Sequence, residues 1–330
     1  MKKIQQKPRI ICDGMKGQNY WFNGCMEYLM ECLGEAKEYD YWFFSGITGD
    51  SFIQLYCKNI SDMIFCYSDG FLPQIIKKIF DSCGYDFEYF NDIKENDRKT
   101  YDKMIREYID KGIPVIAKLG ENRKWTEYCV IYGYDIDKFY AICGVDTEKI
   151  VYSEQYFELI FSKGKKEKPS IDDVYKSTVM DIPSMINLSD TNEFAFGKNA
   201  FTYWADSFQN SVFENIPEES NIWHTHPDKG FSCWNMHGNY LCILGTNGCA
   251  IGFLEKALSL NPDMDFIKRL IPIYEKINKD GFNKVVEMAG GFEIKPKDIK
   301  NKKLMEPITE EIKKLASYCE EIKNIFGERI

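Results

Sequence analysis

The sequence predicts an α+β protein of two domains, on three observations. Helical spacing dominates as far as Lys111-Gly112. Short apolar runs joined by polar turns follow between Pro114 and Asp146. A charged break containing Gly and Pro, Ser162 to Pro169, then precedes a return to helical spacing. Helices first and antiparallel strands afterwards is an α+β layout. A chain of 330 residues is long enough for two cores. The break sets the expected boundary: an α+β domain over 1–165 and a mainly helical domain over 166–330.

Ile10-Ile11-Cys12 reads as a short strand. From Cys25, apolar residues at Met26, Leu29, Met30 and Leu33 keep helical spacing, and Gly34 ends the helix. Asn23-Gly24 just before it is a turn signal. Tyr39 to Ser45 is aromatic and expected to be buried. Phe52 to Tyr56 is expected to start a helix, and Gly70 to Ile79 is a second helix. Tyr85 to Phe90 alternates like a strand. Asp97 to Asp110 is an amphipathic helix with Tyr101, Met104, Ile105 and Tyr108 on one face. Pro114 to Leu119, Glu127 to Tyr134 and Phe139 to Asp146 are three strands, the last two forming a hairpin across Asp135-Ile136-Asp137. Beyond the break, Ser170 to Leu188 is helical, and Pro183 is expected to break it. Helices are expected over Lys198 to Phe213, His237 to Leu258, Met264 to Lys279 and Pro307 to Phe326.

Composition narrows the function. A net charge of −9 argues against a nucleic-acid surface and against an anionic membrane surface. No apolar run reaches the roughly 20 residues that span a bilayer. No secretory signal is visible in Met1 to Pro8. Twelve cysteines without framework spacing suit a reducing cytoplasm, which is the expected location. The absence of a CxxC pair argues against a zinc ribbon, and no cofactor is implied.

The stretch from Gln18 to Gly34 carries the chemistry. A thiol at or near a helix start benefits from unpaired N–H groups and the positive dipole end, which favour a thiolate. Gln18, seven residues before Cys25, has an amide able to donate to an oxyanion. Asn19, Tyr20, Trp21 and Asn23 are the candidate substrate contacts beside the thiol. The order of Gln18, Cys25 on a helix, a strand ending in Tyr132-Gly133-Tyr134, and then Asp146 resembles the papain-like cysteine peptidases, in particular their C39-like branch. The resemblance covers about residues 8 to 160. It implies that Cys25 is the nucleophile, Gln18 the oxyanion donor and Asp146 the orienting acid. Glu127 stands where that family carries its His, six residues before Gly133, and no histidine precedes His224. A carboxylate accepts a proton but cannot supply the positive charge that stabilises a thiolate.

A papain-like domain followed by a helical one is similar to the butirosin biosynthesis protein H-like family. That resemblance implies an acyltransferase or amide synthase of natural-product assembly. An acyl group would pass from a carrier-protein thioester to Cys25 and then to a small amine. A thioester is a reactive donor, so a weakened base matters less than in a protease. The alternative is a catalytically silent papain-like binding module. If the second domain completes the site, His237 is the expected base, because it opens a helix whereas His224 and His226 sit in a loop. Trp223-His224-Thr225-His226-Pro227 also resembles the start of a JAMM zinc hydrolase signature. Its later ligand position holds His237, its serine position holds Trp234, and no upstream Glu is assignable. No metal is therefore assigned.

Overall fold

The computed structural model describes residues 1–4, 11–13, 16–58, 64, 66–121, 124–144, 146–209, 248–289 and 296–327. The chain is mixed α+β, with an antiparallel sheet and helices. It divides into two compact units, each discontinuous in sequence: 1–48 with 73–174, and 49–72 with 175–330. The expected cut at 165/166 differs from this division in two places. The segment 49–72 belongs to the second unit because its strand β2 (Leu55–Cys57) pairs with β9 (Phe194–Phe196). Residues 166–174 stay with the first unit. Lys166 N–H donates to the Gly84 carbonyl at 2.9 Å, and Lys166 Nζ reaches Asp81 at 2.6 Å.

The first unit is built on a sheet of order β3-β8-β4-β5-β6-β7, with β1 (Lys2–Lys3) paired to the far end of β5. The strands are β3 (Tyr85–Phe90), β4 (Val115–Glu121), β5 (Lys124–Tyr134), β6 (Phe139–Cys143), β7 (Asp146–Val151) and β8 (Tyr156–Lys165). All pairings are antiparallel. The turn expected at Asp135 to Asp137 closes the β5–β6 hairpin, with Asp135 N–H donating to the Lys138 carbonyl at 2.8 Å. Alternation along the strands gives two faces. Val115, Ala117, Cys129, Ile131, Ala141 and Cys143 form one core with Ile105 and Ile109 of α4 (Arg98–Asp110). Tyr101, Met104 and Tyr108 close its rim, so the expected apolar stripe is the packed face. Full burial of Ile105 alone contributes about 1.5–3 kcal/mol. On the opposite face α1 (Trp21–Cys32) lies against β5 and β4, with the Phe22 ring edge-on to Tyr128 at 5.2 Å.

The second unit contains the β2–β9 ribbon and most of the remaining helices. Phe52 meets Phe253 and Tyr274 edge-on, each at 5.7 Å, and Tyr175 stacks on Phe253 at 4.5 Å. Helix α6 (Lys198–Gln209) packs against the long helix Lys302–Gly327. Phe52 to Tyr56 does not start a helix: Leu55, Tyr56 and Cys57 form buried strand β2. A short apolar run looks alike in either state, and a partner strand distant in sequence decides it. Helix α5 (Ile171–Met185) also runs through Pro183. The proline lies in the last turn, where the hydrogen bond it removes costs little further helix. Among the described residues no helix is long and apolar enough to cross a membrane.

Candidate functional site

Helix α1 begins at Trp21, so Cys25 is its fifth residue and lies in the second turn. Asn23 and Gly24, expected to form a turn, are inside the helix, and each is there for a packing reason. A Cβ on Gly24 would lie 1.8 Å from the Ile11 carbonyl oxygen, so only glycine lets residues 11–12 run this close to α1. Asn23 is fully buried, and its Oδ1 accepts from Thr48 Oγ1 at 3.3 Å. The first turn is held by Tyr20, whose N–H donates to the Tyr41 hydroxyl at 2.8 Å. The dipole effect fades beyond the first turn, which leaves Cys25 little of it.

Cys25 has 0% of its surface exposed. Burial pushes its thiol well above the ordinary value, and the nearby Cys12, Cys143 and Glu127 push it further. The neighbours are fixed by backbone geometry. Ile11 and Cys12 N–H groups both donate to the Gly144 carbonyl, at 3.1 and 3.2 Å. Gly144 has φ +46°, and a Cβ there would meet the Trp21 ring at 3.3 Å. Cys143 precedes it and lies directly opposite Cys129 on β5. Burial also raises the Cys129 thiol, followed by its hydrogen bond with Cys143. Cys25, Cys129 and Cys143 are in no disulfide.

Glu127 shares the strand parity of Cys129 and Ile131, whereas Phe22 of α1 meets Tyr128 on the other face. Its carboxylate is engaged by Lys149 Nζ in an ion pair. Burial works to lower the Lys149 amine, but the hydrogen bond and charge of Glu127 outweigh it and raise the amine. Lys149 was not among the expected site residues. It comes from a different strand, and only the sheet register brings it to Glu127. Gln18 is anchored in a tight loop. Asp13 N–H donates to Gln18 Oε1 and Gln18 N–H donates to the Asp13 carbonyl, both at 3.1 Å. Asp146 opens β7 opposite Cys143. Tyr20 and Asn23 are buried, while Asn19 and Trp21 remain half-buried.

The structure therefore brings Glu127 within electrostatic range of Cys25 and pairs it with Lys149. His224, His226 and His237, with Trp234, lie outside the described residues. No group of three or more His, Cys, Asp or Glu suited to a metal ion occurs among the described residues. Chemically, Cys25 is a protonated thiol inside the fold, with a carboxylate and further thiols as neighbours. No known family profile matches the chain, and no curated protein matches it.

Proposed function

We propose that the unit formed by 1–48 and 73–174 is a papain-like binding module in which Cys25 is a structural thiol. One observation carries this reading: Cys25 is fully buried and its proton is held first by burial and then by the neighbouring Cys12, Cys143 and Glu127. A nucleophilic cysteine needs the reverse, a partly exposed sulfur beside a cation. Gln18, Asn19 and Trp21 at this end of α1, Glu127 on β5 and Lys149 on β7 are among the groups that reach solvent. They offer an amide, an indole and a charge pair to a ligand. The ligand class follows from the family resemblance: an acyl thioester, carrier-bound or free, or the amine that would accept its acyl group.

The acyltransferase is the second reading, and one observation favours it. Gln18 Oε1 is tied to the Asp13 N–H, which fixes the amide on the same side chain as an oxyanion donor would require. A short-chain acyl-N-acetylcysteamine thioester separates the two readings. The protein is incubated with it and read by intact mass and by tryptophan fluorescence, with Trp21→Phe assigning the signal. Binding without a covalent acyl adduct supports the module. An acyl adduct mapped to Cys25 and absent from Cys25→Ala overturns it in favour of acyl transfer.

A further inference from the structure

Strand β1 sets a lysine into a group of aromatic rings at the far end of β5. Lys3 pairs with Gly133 of β5, and Gly133 pairs with Tyr140 of β6. The three form one row across the sheet, and its middle member has no side chain. A Cβ on Gly133 would lie 2.6 Å from Lys3 Cγ and 2.9 Å from the Lys2 carbonyl oxygen, so glycine lets the lysine stem cross β5. The Lys3 ammonium ends 4.1 Å from the Tyr140 ring centroid and 5.4 Å from that of Tyr132. Tyr132 is the extra residue of an irregularity in β5 between Ile131 and Gly133. Glu148 of β7 closes the group: it pairs with Lys3 Nζ and accepts from the Tyr132 hydroxyl. Ring faces around an ammonium form the kind of cage that recognises alkylammonium ligands.

The group is built for a cation and is open to solvent. Burial works to lower the Lys3 amine, but Glu148 and Tyr132 outweigh it and raise the amine. The Lys3 hydrogen bond is first among the causes that lower the Glu148 carboxyl. Both rings are buried. The Lys3 and Glu148 side chains keep 28% and 40% of their surface exposed, so this site meets solvent as Cys25 does not. The strand that delivers Lys3 is two residues long, a short attachment for a competing ammonium to displace.

We propose that Tyr132, Tyr140 and Glu148 form a binding site for a primary alkylammonium group, which Lys3 occupies in cis as a built-in competitor. Glu148 accepts an N–H, which selects a primary ammonium over a quaternary one. The group comes from a free amine or from a lysine on an extended peptide. The site uses none of Gln18, Asn19, Trp21, Glu127 or Lys149, so it stands independently of the function proposed above.

The full-length protein, isotope-labelled at isoleucine, is titrated with n-butylammonium chloride and separately with a capped peptide of residues 1–4. n-Butanol at matched ionic strength is the neutral control. The Ile4 N–H donates to the Tyr132 carbonyl at 2.9 Å, so its hydrogen exchange reads the release of β1. The expected result is a saturable rise in Ile4 exchange with an ammonium ligand and none with n-butanol. A response to n-butylammonium assigns the site to a free amine, and a response to the peptide alone assigns it to a strand-borne lysine. By calorimetry, Lys3→Met binds the active ligand at least about tenfold more tightly than the wild type, because no occupant has to leave first. Glu148→Gln weakens binding by about tenfold, through loss of a charge-assisted hydrogen bond. No saturable release with either ligand, the same release with n-butanol, or a Lys3→Met variant that binds no more tightly overturns the proposal. The wild-type titration decides the matter even if a variant fails to fold.

Discussion

Two cysteines near helix starts, one in each unit, differ in a way that separates position from reactivity. Cys66 immediately precedes α3 (Tyr67–Cys83), closer to a helix start than Cys25 is to the start of α1. Its sulfur is 3.2 Å from Ser68 Oγ. Ser68 donates to Asp50 twice, from its N–H at 2.8 Å and from its hydroxyl at 2.7 Å. Cys25 has thiols and the Glu127 carboxylate as neighbours in place of that polar relay. Both sulfurs are pushed well above the ordinary value, and in both the first cause is burial. For Cys66 the next causes are the charges of Asp50 and Asp69. A helix start favours a thiolate by at most a few tenths to about 1 kcal/mol in an exposed setting. Desolvation of a buried charge is several times larger. Sequence position near a helix start is thus the weaker influence at both sites.

The comparison can be broken hardest at Gly24. Gly24→Ala puts a methyl group where the Ile11 carbonyl sits, and backbone must move. The expected cost is about 3 kcal/mol, read as a lower denaturant midpoint. Residues 11–12, which form no strand in the structure although the sequence suggested one, are displaced; Cys12 leaves the Cys25 neighbourhood with them, and Cys25 becomes alkylatable in the folded protein. Unchanged stability and protection would show that the close approach of residues 11–12 does not seal the thiol.

Asp50→Ala tests the second site. It strips the acceptor from two buried donors of Ser68, at an expected cost of about 2–3 kcal/mol. Removing that negative charge should also move Cys66 alkylation to lower pH, because Asp50 is one of the groups that raises this thiol. A Cys66 profile that stays in place would leave burial and the Asp69 charge as what raises it.

The smallest effect belongs to Glu127→Gln. Glu127 is the last of the influences that raise Cys25, after burial, Cys12 and Cys143. Losing a negative neighbour favours the thiolate, so the Cys25 alkylation profile should move to lower pH by less than about one unit. Cys66 serves as the internal control, since Glu127 is not among the groups that raise it. A shift of Cys25 to higher pH would mean that Glu127 acts as a proton acceptor, as the acyltransferase reading requires.

The sequence was most informative where local pattern and final packing agree. Strand β3 falls on Tyr85–Phe90 as its alternation predicts, and α4 buries the face carrying Ile105. The hairpin of β5 and β6 follows from two apolar runs and a polar turn. The candidate site was legible only as a set of residue types in order. Depth was not legible: nothing local in Trp21 to Cys32 says that Cys25 lies under residues 11–12, and Asn23-Gly24 looks like a turn until its tertiary partners are known. Lys149 was missed because an ion pair with Glu127 is a property of register across three strands. The β2–β9 pairing joins segments far apart in the chain, beyond the reach of any window-based periodicity.

That last pairing bears on how the protein is made. Strand β2 leaves the ribosome early, yet its only ladder partner among the described residues, Phe194–Phe196, is synthesised after the whole main sheet, whose last strand ends at Lys165. The helix α3 that follows β2 departs from helical geometry at Phe71, where φ is −124°, and the chain passes from the second unit to the first between Leu72 and Pro73. The first unit can therefore complete its sheet during translation while residues 49–72 hang from it as a tethered loop. Loop closure costs grow only slowly with length, so the sheet is hardly penalised by carrying that tether. The order of assembly runs against the order of synthesis for this one segment. The second unit is the later structure even though part of it is made first.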